Sequence, residues 1–321
     1  MNTLQEYCKP YISPQKLVLD YLISKKGLAI QDNEIEFAEQ ALSQINWYHL
    51  KIYFYPFIED LTAEDERYKP QTSFRKGWDI YLLDDELRKI IIKHTLKIEL
   101  IVKSGIDQAI TEFTEDPFWY LNDDYFIKNK QPYYERNKVL GSMNSSDAEF
   151  TKHFQKNYKS PYKSYRSLPP FWIAMEVITF DQFLKIIEKV NPQIFEKRGE
   201  NALDKCAMKL GAENFKQLKS WLEVIKDIRN KGCHNSRLWN ANHMIPKGLD
   251  IHSQPIESLS KPHKIYLVTL AIFLMTKNSV AIDKNIKEEL EELFEAYGSK
   301  INDLEKQMGF PESWATKAIW T

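Results

Sequence analysis

The stretch FKQLKSWLEVIKDIRNKGCHNSRLWN, residues 215–240, holds the side chains best suited to chemistry. Leu218, Leu222 and Ile225 recur at helical spacing, and the next member of that stripe is Arg229. A guanidinium on an apolar stripe cannot shed its charge, so it is either ion-paired internally or serves an anion. Five residues later stands His234, the side-chain type whose unperturbed pKa suits proton transfer near neutrality. Arginine and histidine together suffice for RNA cleavage without a metal. An imidazole moves protons at a 2′-hydroxyl or a leaving 5′-oxygen, and a guanidinium stabilises the charge that gathers on phosphorus. On an ideal helix a five-residue offset turns side chains by about 140° and rises about 7.5 Å, so the pair does not converge well within one chain. Either the helix is distorted around Gly232 or two copies of the motif combine across a homodimer, which is the preferred expectation. The spacing is not unique, because Arg237 and His243 also fit it. The ordinary alternative places Arg229 in an internal salt bridge and His234 in a core.

Other chemistries are excluded by what the chain lacks. Its 10 glycines are scattered, the closest pair being Gly298 and Gly309. A phosphate loop, a dinucleotide turn or a nucleophile elbow needs glycines within a few positions. Cys8, Cys206 and Cys233 form no CxxC pair, and no two histidines lie three to five residues apart. Metal ligation and cofactor binding are therefore not expected. The formal net charge is -1 with 28% charged residues, so no global field draws the chain to nucleic acid or membrane. The N-terminal MNTLQEYCKPYIS has no apolar core of a signal peptide, and the run Ile265–Met275 is far shorter than a membrane span. With sparse, unpaired cysteines, this reads as a soluble cytoplasmic protein.

The elements that must position Arg229 and His234 are helical. Ser13-Pro14 predicts a helix start and Gly27 its stop, and Asn33 with Glu36 reads as a capping box opening a second helix. The aromatic segment 45–57 would complete an N-terminal helical segment, 1–70, with 60–72 as a linker. The remainder, 71–321, reads as one helical domain. Its first long helix begins near Asp79 and carries Ile80, Leu83, Leu87, Ile90, His94, Ile98, Ile101 and Gly105 by threes and fours. Pro117, Pro132, Gly141 and Pro161 break the pattern, so 114–167 reads as an irregular insertion or a mobile connection. Helices are expected after Pro169-Pro170 and over 214–231, 263–282 and 284–308. The last places Ile286, Leu290, Leu293, Tyr297, Ile301, Leu304 and Met308 in one seam behind an acidic face. That is a core seam or, alternatively, a dimerising one. The fold class is all-α.

The stretch IRNKGCHNSRLWN resembles the signature of the Abi-like proteins, the abortive-infection AbiD/AbiF type within the HEPN superfamily. GLAIQDNEIEFAEQALSQINWYHLKIYFYPF, DDELRKIIIKHTLKIEL, LPPFWIAMEVITF and MGFPESWATKAIW are similar to further blocks of that family, in the family's order. The resemblance implies a HEPN helical bundle with an N-terminal extension, usually dimeric, acting in phage defence as a metal-independent ribonuclease. Its Arg-Asn-x-x-x-His motif falls on Arg229, Asn230 and His234. The implied roles are transition-state stabiliser, orienting partner and general acid/base, leaving a 2′,3′-cyclic phosphate and a 5′-hydroxyl. Some members are associated with a structured noncoding RNA, which as an antitoxin would restrain the toxin. Departures are Asn235 where a second His is frequent, Gly232 where Cys is frequent, and Lys103 in place of an Arg.

Glu99, on the first long helix, is a candidate to orient Arg229 or His234. The run KHFQKNYKSPYKSYR carries Lys152, Lys156, Lys159, Lys163 and Arg166 without an acid, interleaved with Phe154, Tyr158, Tyr162 and Tyr165. Cations for phosphates beside ring faces for bases suit single-stranded RNA. Arg237 is a candidate for a further phosphate, and Trp239 reads as core. The alternative function is a non-catalytic RNA-binding protein that forms a particle with a noncoding RNA.

Overall fold

Ser13 starts the first helix in the expected way: its side chain accepts from the Lys16 amide at 3.4 Å with Pro14 in the first turn. The computed structural model describes residues 10–63, 65–249 and 259–321; Cys8 lies outside the described residues. Helix α1 (Pro14–Lys16) continues as a π-wound segment, Leu17–Lys25, and stops at Gly27, whose φ of 71° suits glycine. Helix α2 (Asp32–Gln44) opens one residue before Asn33, with Gln31 at its cap and no side-chain cap bond. The capping box expected from Asn33 is thus absent. A backbone bridge pairs Ala29 with Ser73, and Gln31 is itself extended, so the helix begins immediately after it.

The described chain is all-α apart from a hairpin of β1 (Glu196–Lys197) and β2 (Glu200–Asn201). It divides into two units, one of the chain up to Glu86 with Glu295–Leu304, the other of Leu87–Phe294 with Glu305–Thr321. The first unit is built on aromatic packing. Helix α3 (Trp47–Leu50) leads into Tyr53 and Phe54, both fully buried. Phe54 lies 5.2 Å from Trp47 and 5.4 Å from Phe74, ring to ring. A side chain at Gly77 would meet the Phe54 ring at 2.5 Å, so this position admits only glycine without repacking. Buried Asp84 accepts a 2.7 Å hydrogen bond from the Tyr53 hydroxyl.

Helix α4 runs Phe74–Thr114, starting earlier and ending later than its periodic core suggested. Gly105 lies within it without a left-handed backbone, and a Cβ there would stand 3.5 Å from Cys206 Sγ. In the second unit, residues 114–167 contain helices α5 (Tyr133–Ser145) and α6 (Glu149–Asn157) between irregular stretches. Arg136 of α5 is buried and donates to the Tyr120 carbonyl, to Asp123 Oδ1 and to the Tyr165 hydroxyl, at 2.9, 2.7 and 2.9 Å. Those bonds explain how a proline-broken stretch is nevertheless held to a fixed path.

The helical stretch expected after Pro169-Pro170 forms as two helices, α7 (Phe171–Val177) and α8 (Phe180–Lys189). Thr179 and Gln182 form a reciprocal capping box there. Helices α9 (Ala202–Lys209) and α10 (Phe215–Cys233) follow. Helix α11 (Tyr266–Thr276) is buried at every position, as an all-round apolar helix must be. The C-terminal aromatics close over it: Trp320 lies 4.9 Å from Phe273 and 4.8 Å from Trp314.

The helix expected over 284–308 is broken into α12 (Ile286–Gly298) and α13 (Leu304–Gln307), with Asp303 left-handed between them. Its apolar members Ile286, Leu290, Leu293, Ile301, Leu304 and Met308 are buried, so the seam is core and the continuous dimerising helix is not formed. Glu289, read as solvated, accepts from Lys93 at 2.8 Å and from the buried His94 at 2.6 Å.

Candidate functional site

Helix α10 carries the motif on a regular path. Asn214 caps its start, accepting from the Gln217 amide, and Leu218, Leu222, Ile225 and Ile228 bury one face. Gly232 lies inside the helix and is buried; a Cβ there would stand 3.0 Å from Ile92 Cγ1 of α4. The distortion considered around Gly232 is therefore absent, and the glycine permits close packing of α10 on α4. Gly232→Leu is expected to lower stability by about 1–3 kcal/mol through overpacking, measured by urea unfolding.

The helix ends at the histidine. His234 is its C-cap, and Asn235 takes the left-handed turn at φ 53°. The Asn235 amide donates to Gly232 O at 3.0 Å and the Ser236 amide to Lys231 O at 2.9 Å, the paired bonds of a Schellman stop. Asn235, where a second His was the comparison, is thus the residue that sets the turn, since asparagine tolerates this conformation. His234, Asn230 and Cys233 are exposed. No hydrogen bond joins Arg229 to His234 among the described residues, in keeping with a five-residue offset on a straight helix.

Arg229 meets Glu99 of α4, with Nη2 to Oε2 at 3.3 Å. The side chains are 27% and 15% exposed, so this is a partly buried pair. Glu99 Oε1 also receives Lys103 Nζ at 2.8 Å. One carboxylate between two cations leaves the cluster net positive. The contact to Arg229 is electrostatic without hydrogen-bond alignment: Glu99 Oε2 and Arg229 Nε are buried and have no hydrogen-bond partner. Lys103 also donates to the carbonyls of Met175 and Ile178, 3.2 and 2.9 Å away, at the C-terminal end of α7. A lysine there complements the helix's exposed carbonyls. Sequence reading placed Glu99 but missed the role of Lys103, although the i,i+4 spacing was a usable signal.

The second arginine–histidine match resolves differently. His243 is buried and donates from Nε2 to the Leu238 carbonyl at 3.1 Å. Burial lowers its pKa to about 4. The stability held by this neutral imidazole is complete above pH ~6.5 and is lost as pH falls towards the folded value, about 3 kcal/mol in all. Thermal unfolding between pH 7 and 4 is expected to show that loss, and His243→Gln to flatten the profile. Burial lowers the pKa of His94 too, despite its carboxylate partner.

The basic run separates into several parts. Lys156, Tyr158, Lys159 and Arg166 line one groove. Lys152 is paired with Asp147 at 3.0 Å, and Lys163 is exposed outside the groove lining. Phe154 is buried, Tyr162 donates to Asp116 at 2.6 Å and Tyr165 accepts from Arg136, so Tyr158 is the aromatic left open. Arg237 is half-buried and helps to depress the pKa of Lys264, whose main cause is desolvation. Trp239 is fully buried. Among the described residues no three His, Cys, Asp or Glu side chains are placed to hold a metal ion. None of their helices is long and apolar enough to cross a membrane.

Comparison with curated proteins and with solved structures gives no match. The sequence model of the Abi-like proteins matches residues 40–240, a span that takes in Glu99, the basic groove and the whole Arg229–His234 motif, and the chain therefore belongs to the Abi-like protein family.

Proposed function

We propose that this chain is a phage-defence ribonuclease of the HEPN type that cuts RNA without a metal. The observation that carries the reading is the end of α10. An exposed histidine stands on a fixed helix stop, five residues from an arginine held by Glu99 in a net positive cluster. His234 exchanges the protons: one leaves the attacking 2′-hydroxyl and one joins the departing 5′-oxygen. The 2′-oxygen bonds to phosphorus as the 5′-oxygen bond breaks, giving a 2′,3′-cyclic phosphate and a 5′-hydroxyl. Arg229 stabilises the charge on the phosphoryl oxygens, and Asn230 orients by hydrogen bonding.

Two copies complete the site in this reading, since a five-residue offset on an ideal helix turns side chains by about 140°. Leu96 and Leu100, 47% and 53% exposed on the helix that carries Glu99, support an apolar contact between copies. The double variant Leu96→Glu/Leu100→Glu is expected to run as a monomer in light scattering and to lose cleavage. A cognate structured RNA would restrain the enzyme by occupying its RNA-binding surface. The test of the function is expression of wild type and His234→Ala in bacteria, with RNA ends mapped. Wild type is expected to generate cyclic phosphate ends in a chelator-resistant way, and the variant none. A defined intact RNA copurifying with protein that never cleaves would instead favour the binding-only alternative.

A further inference from the structure

Helix α6 and the turn after it form a groove of about 620 Å³, within the range of ligand clefts. Its walls include Asn144, Lys156, Asn157, Tyr158, Lys159 and Arg166, and no carboxylate lines it. Lys156 and Lys159 are exposed and have no acidic partner among the described residues. Arg166 is held at the rim by a 3.2 Å bond from Nη1 to the Ser160 carbonyl. Three cations around a concavity without an anion create a phosphate-seeking surface on a chain whose net charge is only -1.

Tyr158 gives this surface a second chemistry. It is 59% exposed, yet its position is fixed, with its amide bonded to Phe154 O and its ring over Phe154 at 6.1 Å and 26°. The His153 ring also meets it, tilted at 5.6 Å. A tyrosine ring held by these two neighbours and still more than half exposed at a cationic groove is a platform for a flat group. Asn157 Nδ2 donates to the His153 carbonyl at 2.9 Å and Asn144 Oδ1 accepts from Gln155 at 3.4 Å, which leaves Asn157 Oδ1 and Asn144 Nδ2 to bond base edges.

We infer that this groove is a binding site for a single-stranded nucleic acid segment, with phosphates on Lys156, Lys159 and Arg166 and a base stacked on Tyr158. A duplex fits the chemistry poorly, because its bases are already stacked and offer no free face to the ring. The choice of RNA over DNA rests on the ribonuclease reading; the groove itself reads phosphate and ring faces, and so takes both.

The probe is a fluorescent 2′-O-methyl RNA 12-mer, which cannot be cleaved through its 2′-oxygen, titrated with the full-length protein. Wild type is expected to bind the single strand at least tenfold more tightly than the same sequence in a duplex. Tyr158→Ala is expected to weaken binding by 5- to 100-fold, roughly the worth of one stacked base, and Tyr158→Phe to bind within twofold of wild type. Replacing Lys156, Lys159 and Arg166 with Gln should weaken binding at least tenfold and reduce the log–log salt slope by about two. Equal binding of duplex and single strand, or wild-type binding by either the Tyr158→Ala or the triple-Gln protein, would overturn the inference. Binding of this uncleavable probe is read separately from cleavage of an ordinary RNA. Intact binding with no cleavage by any form would therefore sink the ribonuclease reading and leave the groove standing.

Discussion

His234→Ala is expected to slow RNA cleavage by about 10²–10⁴-fold, the usual worth of a general acid/base, with little change in stability. The two halves of this expectation have different sources. The chemical half follows from the histidine being the exposed imidazole of the motif, whereas its rival His243 is buried, bonded to a carbonyl and titrates near 4. The structural half follows from the helix stop. His234 contributes its backbone amide to Asn230 O, and alanine keeps that amide. The measurement is a single-turnover cleavage rate beside a urea unfolding curve. A rate within threefold of wild type in a normally folded variant would end the assignment. Asn235 supplies a companion test. Asn235→Gly should preserve both rate and fold, and Asn235→Val should cost about 1–2 kcal/mol through its left-handed backbone.

Arg229→Ala carries the second large expectation, a loss of about 10²–10³-fold in cleavage, and here the fold is not spared. Removing the guanidinium takes the ion pair from Glu99 Oε2, which is buried and has no hydrogen bond of its own, and leaves the carboxylate, 15% exposed, with Lys103 as its one cation among the described residues. A stability loss of about 1–3 kcal/mol should accompany the loss of activity. Arg229→Lys separates the two effects: it restores a cation near Glu99 but not the planar fork, so stability should recover more than cleavage. Glu99→Gln provides the converse. It keeps Arg229 and removes the anion that holds it, so binding of the uncleavable probe should persist while the cleavage rate falls. Equal recovery of rate and stability in Arg229→Lys would argue that the arginine serves only the ion pair.

Much of this was legible in the chain. The helix over 214–231 and its apolar stripe could be read from residue spacing, because local periodicity is short-range physics. The breaks inside the longer helical readings were not. Thr179 and Gln182 carry a capping box that sits within an apolar run, and the run concealed it. Asp303 and Gly298 interrupt a seven-residue seam whose apolar members are buried all the same, so the pattern survives while the helix does not. The four aromatics of 152–166 have equal standing in sequence, yet three are committed to the core or to Asp116 and Arg136.

The sequence by itself determined the all-α class, the family and the pairing of Arg229 with His234 as the candidate chemistry. These depend on residue type and on spacing along one element. The tertiary structure decided what those residues meet. It buried His243 and left His234 exposed, gave Arg229 its anion from a residue 130 positions away, and turned Gly232 from a suspected kink into a contact with Ile92. The physical reason is range. Backbone hydrogen bonding and amphipathic periodicity act within a few residues, whereas desolvation, ion pairing and close packing depend on neighbours brought together by the whole fold.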